Sequence, residues 1–291
     1  MKFKHNNISP LDNRYSNKIS EHRETFSEKS LIETRFIIEI NWLLFLCKKY
    51  PNYFKKISKS AESKIIKFRD NFNDKSVLKI KQIEKKTNHD VKAIEYYIRD
   101  FLKKDKALIK YINLIHFGLT SEDVNSLSYA IIIKNGIDIH LKRINTINKY
   151  IKSLSKKWLN IPLLSRTHGQ AASPSTIGKE LKVFTARIER ELIKLKQVIP
   201  LAKFSGAVGN YHAFDIANNK INWPLFTKQF INTFGVMQNP ITTQIEPHDW
   251  IAEALQNISR INNIYTDLSL DMWIYISNEI FKLKVDSNEV G

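Results

Sequence analysis

The stretch Ile177-Gly-Lys-Glu-Leu181-Lys-Val-Phe184-Thr-Ala-Arg-Ile188-Glu-Arg-Glu-Leu192-Ile-Lys-Leu195-Lys-Gln-Val-Ile199 decides the fold. Its apolar residues recur at intervals of three and four, which lays them along one stripe of a helix, with Lys, Arg and Glu on the other faces. Ser173-Pro174 just upstream reads as a cap followed by a first-turn proline. Two more segments carry the same period. One runs through Ile137, Leu141, Ile144, Ile147, Ile151, Leu154 and Trp158, the other through Ile251, Leu255, Ile258, Ile261, Tyr265, Leu268, Met272 and Tyr275. No segment shows convincing period-two alternation flanked by hairpin turn chemistry. The predicted fold class is therefore all-α, built around long, nearly parallel or antiparallel helices.

Upstream of these segments the first 30 residues are polar and turn-rich. Ser30 and Glu33 make a capping-box pattern that opens a helix running to about Lys49, before Pro51. Shorter helices are expected over 57–72, 91–104 and 107–117, with Asp90 as the cap of the second. The domain division that follows is 1–117 for an N-terminal helical domain and 118–291 for a long-helix bundle. Between the long helices lie two connections, 160–172 and 201–247. They hold four of the eight glycines, and His168, His212 and His248 fall in or beside them. Loops held at the ends of rigid helices are where binding groups concentrate.

Composition narrows the function. The 291 residues carry 46 Lys+Arg against 29 Asp+Glu, a formal charge of +17. The excess comes with 41 Ile, 36 Lys and 26 Asn but only 10 Arg, the residues that A/T-rich codons write. Nucleic-acid surfaces favour Arg interleaved with aromatics, whereas these lysines are scattered along helical faces, so no specific nucleic-acid partner is expected. The field would still attract small anions. Cys47 is the single cysteine, so no intramolecular disulfide forms, and no Cys/His cluster has zinc-ligand spacing. Without a signal-peptide core or a run of about 18 apolar residues, the reading is cytoplasmic, with no membrane partner.

Four clusters place polar groups at helix ends: Thr87-Asn88-His89-Asp90, Thr120-Ser121-Glu122-Asp123, Ser165-Arg166-Thr167-His168-Gly169-Gln170 and Gln244-Ile245-Glu246-Pro247-His248-Asp249. Each could simply cap a helix, and His89 and His168 could be structural histidines. Spacing alone does not decide.

Together with Ser9-Pro10-Leu11-Asp12-Asn13-Arg14-Tyr15, Gly206-Ala-Val-Gly-Asn-Tyr211 and the run Pro162–Glu180, the clusters resemble the adenylosuccinate lyase family of the aspartase/fumarase superfamily, in order and over nearly the whole chain. The resemblance implies a long-helix bundle and β-elimination of fumarate from adenylosuccinate and from succinyl-aminoimidazole-carboxamide ribotide. It implies no cofactor, and a homotetramer whose active sites gather turns from three chains. By resemblance His168 is the general acid. Arg14 and Tyr15 contact the phosphate-bearing end of the substrate, Asn88, His89 and Asp90 form a second substrate-binding turn, Thr120 and Ser121 a third, and Gln244 reaches the substrate from the third long helix. The family's loop Gly-Ser-Ser-x-Met-Pro, whose serine is the general base, would follow Glu289-Val290-Gly291, where the sequence ends. The sequence is thus read as the N-terminal portion of such an enzyme, with its remaining bundle helices and C-terminal domain absent and its activity doubtful. Under that reading the stripes of the second and third long helices should be only partly covered within one chain. The alternatives are another fumarate-releasing lyase of the superfamily (argininosuccinate lyase, fumarase or aspartase) and a non-catalytic helical remnant acting as a binding module.

Overall fold

A computed structural model of the chain describes residues 9–284 and 286–288; the stretch Glu289-Val290-Gly291 lies outside the described residues. In chain order the helices are α1 (Ser20–Phe26), α2 (Glu28–Lys49), α3 (Lys59–Asp70), α4 (Asp74–Thr87), α5 (Asp90–Lys103) and α6 (Ser121–Lys157). A hairpin of β1 (Pro162–Thr167) and β2 (Gln170–Thr176) precedes α7 (Ile177–Gln197). Then come β3 (Leu201–Ala202), α8 (His212–Ala217), α9 (Trp223–Asn232), β4 (Met237–Gln238), which pairs parallel to β3, and α10 (Asp249–Ser277). The chain divides into two compact units, one of Met1–Ile139 with Ile199–Trp250, the other of His140–Val198 with Ile251–Gly291.

In the first unit α2 is the central element, because its apolar residues occupy every face rather than one stripe. Phe36, Ile40, Leu43 and Cys47 pack with Ile65 of α3, Ile80 of α4, Ile94 and Ile98 of α5, and Tyr111. From another face Trp42 meets Phe204, Phe214, Phe226 and Phe230, ring centroids 4.9–6.1 Å apart, and its indole N–H donates to the Phe117 carbonyl at 3.0 Å. Burying each such side chain is worth roughly 1.5–3 kcal/mol.

The second unit packs the C-terminal half of α6, the hairpin, α7 and α10. Its core is Ile151, Leu163, Ile177 and Leu181, with Trp158, Tyr265, Leu268 and Met272 against it. Glu191 of α7 accepts from Asn257 Nδ2 at 3.0 Å and Arg260 Nε at 2.9 Å, tying α7 to α10.

Several sequence expectations are corrected. The 160–172 connection is the start of a β-hairpin, and the residues that read as the α7 cap, Ser173 and Pro174, lie inside β2. Thr176 caps α7 instead, accepting from the Lys179 N–H. Ser27 caps α2, three residues before Ser30, and His89 rather than Asp90 caps α5. The helix expected over 107–117 is a short 3-10 turn, Ile109–Leu114. The α7 stripe is buried from Ile177 to Leu195, with the hairpin, α6 and α10 packed against Ile177 and Leu181. The α10 stripe is only partly covered, as expected: Ile261 is buried while Leu255 stays 59% exposed.

Candidate functional site

Five of the residues singled out by sequence lie in two turns of the first unit. At the first turn of α6, Thr120 donates its N–H to Asp123 Oδ2 at 2.8 Å. Asp123 also accepts from the N–H groups of Ser205 (2.9 Å) and Gly206 (3.2 Å), so it binds the glycine loop to the helix start. Its charge partner is Lys203 Nζ at 2.9 Å, and both side chains are fully buried. The same ammonium donates to the carbonyls of Gly206 (2.6 Å) and Gln244 (2.9 Å). Thr120, Ser121, the loop 206–211 and Gln244 are thereby assembled around one dry ion pair. The first turn of α6 carries the positive end of a long helix dipole, beside the half-buried Thr120 and Ser121.

Gln244 is not on the third long helix as expected but in the segment that precedes α10, and an adjoining network fixes the other end of that segment. Glu246 is buried, accepting from Asn239 Nδ2 at 2.9 Å and from the His248 N–H at 2.7 Å, and its Oε2 lies 3.0 Å from His248 Nδ1. His248 Nε2 lies 3.6 Å from Glu122, the residue after Ser121. Burial pushes the Glu122 carboxyl above the usual range, against the pull of His248 and Lys203.

The second turn joins α4 to α5. Asn88 takes a left-handed backbone as the C-cap of α4, and His89 Nδ1 accepts from the Lys92 N–H at 3.3 Å. Asp90 pairs with the buried Arg35 at 2.8 Å. Burial works against its charge, but Arg35 and the Val91 N–H hold its carboxyl below the usual range. Lys92 links this turn inward, since its ammonium meets the buried Glu95 at 2.8 Å. Glu95 lies 3.8 Å from His116 Nε2, while His116 Nδ1 is 2.5 Å from Glu39, itself fully buried. Burial disfavours the imidazolium, yet Glu39 and then Glu95 outweigh it and raise the His116 pKa above its ordinary value.

Arg14 and Tyr15 sit between two short 3-10 turns, both exposed, with the Arg14 guanidinium 5.6 Å from the Tyr15 ring centroid. His168 belongs to the second unit, at the tip of the hairpin. Thr167 pairs with Gln170, so His168 (φ 53°) and Gly169 (φ 76°) form a two-residue turn with both φ positive, the geometry of a type I′ hairpin. The imidazole is exposed there. Among the described residues no group of three His, Cys, Asp or Glu side chains could hold a metal ion, and no helix is long and apolar enough to cross a membrane.

Comparison with known proteins places the sequence in a family. Residues 13–291 match the sequence model of the lyase family. The chain belongs to that family. Its relatives include adenylosuccinate lyases from Buchnera aphidicola subsp. Schizaphis graminum (44% identical over 98% of this chain), from Legionella pneumophila strain Corby (43% over 98%) and from Escherichia coli K12 (40% over 98%). The chain spans 63% of the length of each. Its fold resembles a fumarate lyase from Mesorhizobium sp. BNC1 (TM-score 0.73, 19% identical, covering 89% of this chain and 58% of that one). It also resembles a β-carboxy-cis,cis-muconate cycloisomerase from Acinetobacter calcoaceticus sp. ADP1 (TM-score 0.69, 17% identical, covering 88% and 57%).

Sequence reading missed the role of Lys203 and the cluster of Glu39, Glu95 and His116. Lys203 left one signal, a lone charge between Ala202 and Phe204 in an otherwise apolar run. Glu39 left another, a lone carboxylate among Phe36, Ile37, Ile38 and Ile40.

Proposed function

We propose that the chain forms part of an adenylosuccinate lyase, which eliminates fumarate from adenylosuccinate to give AMP, and from succinyl-aminoimidazole-carboxamide ribotide in purine synthesis. The observation that carries this reading is the 40–44% identity to adenylosuccinate lyases along 98% of the chain. The reaction needs an acid for the departing nitrogen and donors that stabilise the carboxylate-bearing carbanion as charge develops. His168 is assigned the acid, at an exposed tip where a substrate or a partner chain can reach it. Thr120 and Ser121 at the α6 N-terminus receive a carboxylate, with Asn88, His89, Asp90 and Gln244 as further substrate contacts and Arg14 and Tyr15 at the phosphate end. No residue of this chain is assigned the base. The exposed Leu255, Leu270 and Trp273 of α10 support association into a cytoplasmic homotetramer with shared sites. The division into an N-terminal domain of 1–117 and a bundle of 118–291 belongs to the same reading.

The test compares the 291-residue chain with a fusion that adds the remaining part of the Escherichia coli relative. With no residue among these 291 assigned the base, the 291-residue chain should release fumarate from adenylosuccinate several powers of ten more slowly than the fusion, and His168→Ala should abolish release by the fusion. Fumarate release from argininosuccinate but not adenylosuccinate would refute the assigned substrate. Clear turnover by the short chain, lost in His168→Ala, would refute the missing base.

A further inference from the structure

The ammonium of Lys203 has three protons and three acceptors within reach: Asp123 Oδ1 at 2.9 Å, the Gly206 carbonyl at 2.6 Å and the Gln244 carbonyl at 2.9 Å. A lysine offers three donors and no more, so this buried cation is fully satisfied without water. Its partners lie on three separate parts of the chain: the α6 start, the glycine loop and the 239–248 segment. The Lys203 backbone N–H adds a further tie, to Ser126 Oγ at 3.3 Å, and Ser126 Oγ donates to the Lys203 carbonyl at 3.1 Å. Burying an ion pair contributes little net stability when compared with apolar packing, because desolvation consumes most of the Coulombic gain. A fully dry pair whose spare protons both go to backbone carbonyls is better explained by what it holds in place. Gln244, itself exposed, has its backbone oxygen pinned by this buried cation.

We infer that Lys203 is a positioning residue, which sets the Gln244 segment and the glycine loop against the Thr120–Ser121 turn so that the three form one substrate-binding surface. This rests on the reading of that surface as the adenylosuccinate site. An arginine would keep the charge, but its planar fork cannot direct donors to a carboxylate and two carbonyls arranged around a single nitrogen. Charge and geometry can therefore be separated by substitution.

The experiment uses the full chain, with AMP as the probe. Lys203→Arg is followed by thermal melting, by AMP calorimetry and by hydrogen exchange of the 239–248 segment. The expected result is a folded variant with AMP affinity down about tenfold to a hundredfold, the loss of one or two hydrogen bonds to a charged group. Exchange in 239–248 should accelerate by a similar factor while α5 stays as protected as before. A folded Lys203→Arg with unchanged affinity and unchanged exchange in 239–248 overturns the inference. So does acceleration spread evenly over the whole unit, which is what a merely stabilising pair would give. Should Lys203→Arg fail to fold, the double variant Asp123→Asn with Lys203→Met removes both charges and is judged by the same two readouts. If the unsubstituted chain does not bind AMP, the calorimetry is run on the fusion with the remaining part of the Escherichia coli relative; no AMP binding there refutes the adenylosuccinate reading, while the exchange of 239–248 still decides the role of Lys203.

Discussion

Gly209 offers the sharpest test of how closely the glycine loop approaches the 239–248 segment. Two glycines of that loop share a left-handed backbone, Gly206 at φ 80° and Gly209 at φ 83°. Alanine at either one pays the left-handed cost of about 1–2 kcal/mol. Only Gly209 faces a wall. A Cβ there would stand 2.1 Å from the Thr242 carbonyl oxygen and 2.8 Å from that of Thr243, whereas at Gly206 the nearest atom is 3.5 Å away. Ordinary contact begins at 3.4 Å, so the shortfall is 3.4 − 2.1 = 1.3 Å against backbone that cannot rotate aside. Overpacking of that kind costs a further 1–3 kcal/mol or so. Gly206→Ala should therefore lose about 1–2 kcal/mol, and Gly209→Ala roughly 2–5 kcal/mol. Urea denaturation followed by tryptophan fluorescence measures both, since Trp42 and Trp223 are fully buried in this unit. Equal losses, or a milder effect at Gly209, would refute the close approach and with it the packing of the loop against Thr242.

Three other outcomes follow from the same structure. The raised pKa of His116 gives the native state stability that is fully present below the unfolded value near 6.5 and is lost as pH rises through the higher folded value. Denaturation midpoints of the parent chain should fall over that window relative to His116→Gln, and a parallel pH dependence in the two proteins would contradict the pairing with Glu39 and Glu95. Burial pushes the Cys47 thiol up to about 12, so iodoacetamide should label it slowly in the native chain and rapidly in denaturant; fast native labelling would show that α2 is not enclosed. Glu191→Ala strands the fully buried Asn257 amide and should cost about 1–3 kcal/mol, read as a lowered midpoint by circular dichroism, whereas a neutral change would mean that the α7–α10 tie is idle.

How much of this was legible depends on which side chains are buried. The α6, α7 and α10 helices could be read because a covered stripe repeats every three to four residues. The hairpin could not. Its strands are exposed at most positions, so no alternation of inward and outward residues exists to be seen, and its turn is His168-Gly169 rather than the familiar Asn-Gly. Pro174 read as the first-turn proline of a helix, but β2 belongs to a two-stranded ribbon, where a proline is tolerated. The helix α4 escaped notice because only Ser76 and Ile80 of its 14 residues are buried. The turns bearing Asn88–Asp90 and Thr120–Ser121 announced themselves by capping residues. The groups that hold them could not be found by spacing, since Asp123 and Lys203 are 80 positions apart (203 − 123) and meet only through the fold.

The discontinuous make-up of the first unit imposes a schedule on its synthesis. Its residues up to Ile139 leave the ribosome well before its closing segment, 199–250. With 80 residues between Asp123 and Lys203, and elongation at about 5–20 residues per second, the carboxylate waits roughly 4–16 s for its cation. During that interval Asp123 must stay hydrated, so the start of α6 cannot adopt its dry native seat, and Trp42 lacks the four phenylalanines that will cover it. The nascent chain thus carries an exposed aromatic face for seconds, a window in which a holdase chaperone would find it.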